Sequence, residues 1–261
     1  MENMSEALKK KLQARELVFG SWVSFSHPSI TEIFTAQEFD FHAIDMEHTT
    51  ISLEQAQRII AASQASGVPC LPRPVSHSND YIKPLLDSGA DGIIAPLIHD
   101  GNLSHGIIDL LKFPPLGKRS FGVNRAHGYG STFDTYLASW NSASVYIAQI
   151  ESITAVDNIE SILSNPALDG VMVGPYDMSG SLGVPGQIQH PKMLKAEAKV
   201  IAACKKANKS CGTQISDFSF ANVEAALAKG YTFIIASSDL FVLNSWAEKA
   251  GLLMKNFKDT K

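Results

Sequence analysis

The sequence predicts a TIM (β/α)8 barrel. Eight short apolar runs, each bounded by polar, glycine or proline residues, alternate with helical patterns through a chain of 261 residues, and a ninth helical pattern follows the last run. An open doubly wound sheet would alternate in the same way, but it normally carries a glycine-rich phosphate loop after its first strand. Here the first strand is followed by Phe25-Ser-His-Pro28, so the barrel is favoured.

The elements follow in order without a visible domain boundary, so residues 1–261 are expected to form a single domain. The predicted strands are 19–24, 41–45, 69–73, 92–96, 145–150, 170–174, 210–215 and 232–236. The predicted helices are 29–38, 52–66, 80–88, 103–111, 132–141, 153–163, 191–208, 218–229 and a C-terminal helix at 240–257. One long glycine-rich connection, 113–131, must either wrap the amino-terminal rim of the barrel or climb back to the other end.

Composition excludes several classes of function. Hydrophobic residues make up 45% of the chain and charged residues 18%, which is typical of a soluble globular enzyme. The net charge of −4, without a basic run, argues against a nucleic-acid partner. No apolar stretch reaches 18 residues and no signal peptide is visible, so neither membrane insertion nor secretion is expected. Three cysteines without CxxC spacing indicate a reducing compartment, and we expect a cytoplasmic protein.

Two carboxylates mark a candidate metal site. Glu151 directly follows the strand 145–150, and Asp177 follows the strand 170–174 after a short Pro-Tyr link. One helical pattern separates the two strands, so they should be parallel neighbours with both carboxylates at the carboxyl-terminal rim. Two hard anionic ligands at one rim suggest a divalent cation bound through oxygen.

The other residues expected at this rim favour metal-assisted chemistry. They include Asp45, His48, Arg73 and Gln149, but no lysine. A Schiff-base enzyme needs a lysine amine in its site, and the nearest candidates, Lys83 and Lys118, fall in a helix and a loop. A Lewis-acid mechanism fits this set better.

Six motifs carry a resemblance to a known family. They are Ile44-Asp-Met-Glu-His48, Leu71-Pro-Arg-Pro74, Leu86-Asp-Ser-Gly-Ala-Asp-Gly92, Phe113-Pro-Pro-Leu-Gly-Lys-Arg119, Gln149-Ile-Glu-Ser152 and Val173-Gly-Pro-Tyr-Asp-Met-Ser179. In this order and spacing they resemble the HpcH/HpaI aldolases, metal-dependent class II pyruvate aldolases related to citrate lyase β-type enzymes. The resemblance covers the chain from about Gly20 to Asp239.

The resemblance implies a metal, a substrate and an assembly. Glu151 and Asp177 would bind Mg, Mn or Co, and pyruvate would chelate that ion through its carboxylate and keto oxygen. Gln149 and the backbone around Tyr176 and Asp177 would hold the pyruvate carboxylate. The other substrate would be an aldehyde. Such enzymes are typically hexamers, in which the C-terminal helix packs on a neighbouring subunit.

The resemblance also implies roles for four catalytic residues. Arg73 would stabilise the enolate oxygen and His48 would be the base on the aldol hydroxyl. Asp87 matches a carboxylate that raises the basicity of this histidine, and Asp45 is a second possible partner. The chemistry asks for the same residue types, because a cation and a guanidinium stabilise an enolate and an imidazole can accept a proton near neutral pH.

Other interpretations of these residues are open. Glu151 and Asp177 could cap helices, Glu47 could be a structural partner of Arg73, and Asp87 could simply end a helix. Arg119 and Arg125 could either bind an acidic substrate tail or face solvent. Two alternative functions also remain: a CoA-ester lyase of the citrate lyase β-like superfamily, and a catalytically idle barrel that binds a 2-oxo acid.

Overall fold

The computed structural model describes residues 4–260 and confirms the barrel. Its strands are β1 (Val18–Val23), β2 (Phe41–Asp45), β3 (Cys70–Arg73), β4 (Gly92–Ala95), β5 (Val145–Ile150), β6 (Gly170–Val173), β7 (Ser210–Ile215) and β8 (Phe233–Ser238). They are parallel in the order β3-β2-β1-β8-β7-β6-β5-β4, and β3 and β4 adjoin to make the barrel nearly closed. Buried apolar runs locate strands well, so the predicted bounds are within two residues of these.

Twelve α-helices surround or cover the barrel in the described part of the chain. They are α1 (Met4–Ala14), α2 (Pro28–Thr35), α3 (Leu53–Ala65), α4 (Asn79–Asp87), α5 (Gly101–Leu111), α6 (Phe133–Ala143), α7 (Ile153–Asp157), α8 (Ile159–Leu163), α9 (Pro175–Ser181), α10 (Pro191–Lys206), α11 (Phe220–Lys229) and α12 (Asp239–Asp259). The predicted helix 153–163 is divided at Asn158, and α1 and α9 were not predicted. None of the twelve is long and apolar enough to cross a membrane.

A repeated clamp holds the amino-terminal rim together. The residue before each even-numbered strand donates its backbone N–H to a carbonyl of the preceding odd-numbered strand. Its side-chain oxygen accepts the backbone N–H of that same strand residue. The pairs are Asp40 with Phe19, Asp91 with Cys70, Asp169 with Tyr146, and Thr232 with Cys211, at 2.8–3.1 Å. A side-chain oxygen therefore satisfies a strand N–H that would otherwise be unpaired.

Aromatic rings fill the interior of the barrel where the strands have no side chain. Phe41 lies over Gly20, where an added Cβ would be 2.3 Å from the ring, and Phe233 lies over Gly212, where it would be 2.1 Å away. Both rings are fully buried. Leu8 and Leu12 of α1 join the same apolar cluster. The amino-terminal end is thus closed, and the open end is the carboxyl-terminal rim, as expected for this fold.

The long connection 113–131 wraps the amino-terminal rim, the first of the two predicted courses. It contains a 3-10 helix at 125–130. Arg125 donates to the side chain of Gln64 and to the Ser88 carbonyl, at the ends of α3 and α4. Arg119 is buried over the Phe113 ring. Neither arginine can bind a substrate tail at the active rim of its own chain, so that interpretation is wrong within one chain.

His42 is a buried neutral imidazole on the outer face of β2. Its Nδ1 lies 2.5 Å from the Ser21 hydroxyl, its Nε2 has no partner, and the Phe34 and Phe39 rings pack beside it. Burial lowers the pKa of His42 to about 4. The pKa of His42 in the folded state lies below its unfolded value. The contribution of neutral His42 to the free energy of unfolding is therefore fully present above about pH 6.5 and is lost as the pH falls towards 4.

The variant His42→Asn should remove this acid sensitivity. Asparagine keeps an acceptor near the Nδ1 position but is smaller than histidine, so the variant loses packing at every pH. Because asparagine does not titrate, the variant has no cost of protonation at low pH. Between pH 7 and pH 5 the wild type should lose about 2 kcal/mol more unfolding free energy than the variant. Urea denaturation at the two pH values measures this, with His105→Asn at an exposed position as the control. An equal loss in both proteins would contradict the assignment.

Candidate active site

The carboxyl-terminal rim contains a cleft with two lobes. The β5–β6 lobe, of about 240 Å³, is lined by Gln149, Met172, Val173, Gly174, Pro175, Tyr176 and Asp177. The β1–β8 lobe, of about 230 Å³, is lined by Trp22, Ser24, Asp45, Thr49, Ser238, Leu240 and Phe241. His48, Arg73 and Gln214 line both lobes. Most of the predicted site residues therefore lie at one cleft.

Glu151 is buried and held from two sides. Its Oε1 accepts the backbone N–H of Leu97 at 2.6 Å, and its Oε2 accepts Nε2 of Gln149 at 2.5 Å. Leu97, the second residue after β4, has a φ of +52°, and this left-handed conformation presents its N–H to Glu151. Burial raises the pKa of Glu151, the two hydrogen bonds lower it, and the negative charge of Asp177 raises it again. A carboxylate fixed in this way can offer its remaining lone pairs to a cation.

Gln149 links Glu151 to Arg73. Its Oε1 accepts a hydrogen bond from Nη1 of Arg73 at 3.1 Å. Because a guanidinium only donates, this contact places the amide oxygen towards Arg73 and the amide nitrogen towards Glu151. Gln149 keeps one free N–H for a ligand. Its first role in the structure is therefore to position two charged groups.

Arg73 is enclosed by partners. Its Nη2 lies 2.8 Å from Oδ1 of Asp45, its Nε lies 3.3 Å from Oε2 of Glu47, and its guanidinium lies 4.5 Å from the centre of the Trp22 ring. Only 8% of the residue is exposed. A planar, always charged guanidinium suits this site because it can serve several acceptors at once. The predicted structural pair of Arg73 with Glu47 is present.

Asp177 and Tyr176 lie in the first turn of α9. Pro175 occupies the first helical position and presets the backbone there. Tyr176 is 62% exposed at the mouth of the β5–β6 lobe. The residue before this helix, Gly174, leaves room for the side chains of Glu151 and Gln149. A Cβ at this position would lie 3.1 Å from Oε2 of Glu151 and 3.0 Å from Nε2 of Gln149.

His48 follows β2 on a tight turn. Oδ1 of Asp45 accepts the backbone N–H groups of Glu47 and His48, both at 3.2 Å. Asp45 therefore holds the turn, while the carboxylate that approaches the imidazole is Glu47, with its Oε2 at 3.6 Å from Nε2 of His48. The His48 side chain is exposed enough to meet a substrate. The predicted pairing of Asp45 with His48 is thus a backbone contact here.

Asp87 does not join this cleft within one chain. It ends α4, which begins near the end of β3 and runs to the amino-terminal rim. There its Oδ1 accepts Nη2 of Arg119 at 2.9 Å. Within one chain Asp87 does not contact His48, because the two residues lie at opposite ends of the barrel, and the role implied for Asp87 stays a prediction. The implied role could only be met by a second copy of the chain.

Negative charge exceeds positive charge in the cleft. Asp45, Glu47, Glu151 and Asp177 bring four carboxylates, against one guanidinium. Glu47 shows this excess of negative charge most clearly, because its Oε2 is buried and accepts no hydrogen bond. Burial raises the pKa of Glu47, Arg73 lowers it, and the charge of Glu151 raises it again. These donors fit a divalent cation, which prefers oxygen ligands and would neutralise the excess.

Sequence reasoning missed three residues of the cleft. Glu47 was interpreted as structural, although its place between Asp45 and His48 in one motif could have identified it. Trp22 lies inside the barrel next to Arg73, and its inward position in β1 was the available signal. Gln214 points into the cleft from β7, and nothing in the sequence distinguishes it from other strand residues.

Comparisons with known proteins identify relatives that match almost the whole chain. A family model described as HpcH/HpaI aldolase/citrate lyase matches residues 18–245. Hydroxypyruvate/pyruvate aldolase of Roseobacter denitrificans is 30% identical over 90% of this chain and 91% of its own. 2-keto-3-deoxy-L-rhamnonate aldolase of Escherichia coli K12 is 28% identical over 98% of this chain and 96% of its own.

A solved structure extends the similarity to three dimensions. An HpcH/HpaI aldolase/citrate lyase family protein from Burkholderia cenocepacia J2315 has a TM-score of 0.89 at 30% identity, over 96% of this chain and 99% of that chain. The aldolase relatives confirm the predicted class of enzyme, a carbon–carbon lyase. The chain belongs to the HpcH/HpaI aldolase/citrate lyase family.

Proposed function

We propose that this protein is a divalent-cation-dependent aldolase that reversibly cleaves a 4-hydroxy-2-oxo acid into pyruvate and an aldehyde. The observation that carries the proposal is the excess of carboxylates around Arg73, among them a buried oxygen of Glu47 that accepts no hydrogen bond. An unbalanced buried charge is costly unless a ligand neutralises it. Relatives of similar length are named as aldolases of pyruvate or of a 2-keto acid, which supports the same reaction type.

Glu151 and Asp177 would hold the cation, which could be Mg, Mn or Co. Within residues 4–260 no group of three or more His, Cys, Asp and Glu side chains is arranged to hold an ion by itself. Two protein carboxylates leave open coordination positions, and a 2-oxo acid has two oxygens suited to fill them. When bound, the cation supplies positive charge next to the oxygen on which the enolate charge develops.

The protein's own side chains account for the proton and the developing charge. His48 takes the proton of the 4-hydroxyl, the C3–C4 bond breaks, and C4 becomes the aldehyde carbonyl. The bonding electron pair stays on the other fragment as the enolate of pyruvate, which Arg73 stabilises, and a proton then returns to C3. Glu47 is the carboxylate that faces this imidazole, with its Oε2 3.6 Å from Nε2 of His48.

The β5–β6 lobe would hold the pyruvate part. The backbone around Tyr176 and Asp177 and the remaining N–H of Gln149 would bind its carboxylate. Gln149 also keeps Arg73 and Glu151 at fixed positions through its two hydrogen bonds. Such fixed donors stabilise a transition state without rearranging during the reaction.

We infer that the enzyme is a homo-oligomer, a hexamer as its family resemblance implies, with α12 packed on a neighbouring subunit. Several large apolar side chains of α12 face solvent in the single chain, including Trp246 at 70% and Phe257 at 67% exposure. Apolar patches of this kind mark protein interfaces. Asp87 could then act on the His48 of a neighbour, a role that it cannot perform within its own chain.

A pyruvate-release assay tests the proposed function. Purified protein is incubated with a panel of 4-hydroxy-2-oxo acids, before and after treatment with a chelator. We expect release of pyruvate, its loss with chelator, and recovery with Mn, Co or Mg. Release that survives complete removal of metal would overturn the cation-dependent mechanism. Binding of 2-oxo acids without turnover would favour the idle barrel, and cleavage confined to CoA esters would favour the CoA-ester lyase.

A further inference from the structure

Gln214 is the one side chain shared by both lobes that has no role in the proposed chemistry. Arg73 and His48 are the other two shared residues. Gln214 projects inward from β7 and is half-buried, and its amide makes no hydrogen bond to any residue from 4 to 260. The amide is accessible from the cleft and is not committed to another side chain, so a ligand group can pair with it.

The β1–β8 lobe offers no free cation. Its only cationic side chain other than His48 is Arg73, whose nitrogens are directed at Asp45, Glu47 and Gln149. Arg119 and Arg125 are held at the opposite rim. An aldehyde that carries a carboxylate of its own would therefore be repelled by the negative charge of Asp45, with no cation to compensate.

Hydrogen-bonding capacity remains in the same lobe. The Ser238 hydroxyl accepts the backbone N–H of Phe241 at 3.3 Å and keeps its own O–H for a ligand. The Thr49 hydroxyl is already used, because it donates to the Asp45 carbonyl. Trp22 and Leu240 add apolar surface. The Ser24 hydroxyl pairs with Asp239, which leaves the Gln214 amide and the Ser238 hydroxyl to pair with a substrate hydroxyl.

We propose that the aldehyde partner is a short, uncharged hydroxyaldehyde bound in the β1–β8 lobe, and that Gln214 selects it by hydrogen bonding to its hydroxyl. This inference rests on the proposed aldolase function and adds the substrate class that it leaves open. A lobe of about 230 Å³ is smaller than the pockets that bind drug-sized ligands, which suits a short aldehyde. A site built to pair with a hydroxyl also discriminates against an analogue that lacks it.

Three two-carbon aldehydes test the selection. Glycolaldehyde carries a hydroxyl, acetaldehyde lacks it, and glyoxylate carries a carboxylate in its place. With pyruvate as the donor and saturating Mg²⁺, we expect kcat/KM for glycolaldehyde to exceed that for either of the others by at least about tenfold. Gln214→Met, which keeps the length of the side chain but cannot hydrogen-bond, should reduce the advantage over acetaldehyde to below about threefold. Gln37→Met, at an exposed position, is the matched control.

Exchange of the pyruvate methyl protons with D2O separates the two levels of the proposal. This exchange needs the enolate but no aldehyde. If exchange occurs and the wild type uses acetaldehyde or glyoxylate as well as glycolaldehyde, the inference on Gln214 is wrong and the proposed function survives. The inference is also wrong if Gln214→Met, or Gln214→Leu should the first variant not fold, keeps the full preference. If the wild type shows neither exchange nor addition, both proposals fail.

Discussion

Glu151→Gln should lower kcat/KM for pyruvate release by at least about a thousandfold. The change removes the charge of a buried carboxylate but keeps the size of the side chain, so it weakens cation binding with little disturbance of packing. A factor of a thousand corresponds to about 4 kcal/mol, within the several kcal/mol that a metal ion contributes to an anionic transition state. Steady-state kinetics at saturating Mg²⁺ measure the effect, with the exposed Glu160→Gln as the control.

A binding readout accompanies this kinetic result. A cation that binds the folded protein raises its melting temperature by mass action. Mn²⁺ should therefore raise the melting temperature of the wild type and of Glu160→Gln, but not that of Glu151→Gln. Retained activity together with a retained thermal shift in Glu151→Gln would show that Glu151 is not a ligand.

Arg73→Lys is expected to have the second-largest effect, a loss of at least about a hundredfold in kcat/KM. Lysine keeps the positive charge, but one ammonium group cannot replace the separate contacts to Asp45, Glu47 and Gln149. Gln149 would lose the donor that orients its amide, so Glu151 would be held less firmly. The kinetics of pyruvate release measure the loss, and most of it should appear in kcat because the proposed mechanism has Arg73 act on the developing charge.

Arg58→Lys provides the matched control for this prediction. Arg58 is exposed on α3 and pairs with Glu54 one turn away, a contact of small energetic value. It should keep activity within about twofold. An Arg73→Lys variant that falls in the same range would mean that charge alone is needed, and that the aligned contacts of the guanidinium do not contribute.

The barrel was predictable because its strands are buried on both faces. Apart from Gln149 and Gln214, runs such as 145–150 and 210–215 consist mainly of apolar or small residues, and the structure gives them the predicted bounds. The helices that were missed have weaker local signals. In α1 three residues are buried, Ser5, Leu8 and Leu12, in a helix rich in lysine, and α9 is a seven-residue helix with two buried residues, Met178 and Ser179. Their positions depend on tertiary contacts more than on periodicity.

The cleft was predictable where neighbouring strands end together. Glu151, Gln149 and Arg73 lie in one hydrogen-bonded chain, and strand order alone places them at one rim. Other features required three dimensions. The position of Asp87 depends on the direction of α4, and the closeness of Glu47 to His48 depends on a tight turn. Gln214 acquires significance only because two lobes meet at its side chain.

Deuterium exchange into pyruvate tests the central claim most directly, because in the proposed mechanism it requires the cation, Arg73 and a base but no knowledge of the aldehyde. The wild type in D2O with Mg²⁺ or Mn²⁺ should deplete the methyl proton signal of pyruvate, followed by NMR. Chelator and Glu151→Gln should each abolish this exchange. Exchange that continues at the wild-type rate in the metal-free protein, or in Glu151→Gln, would contradict the account.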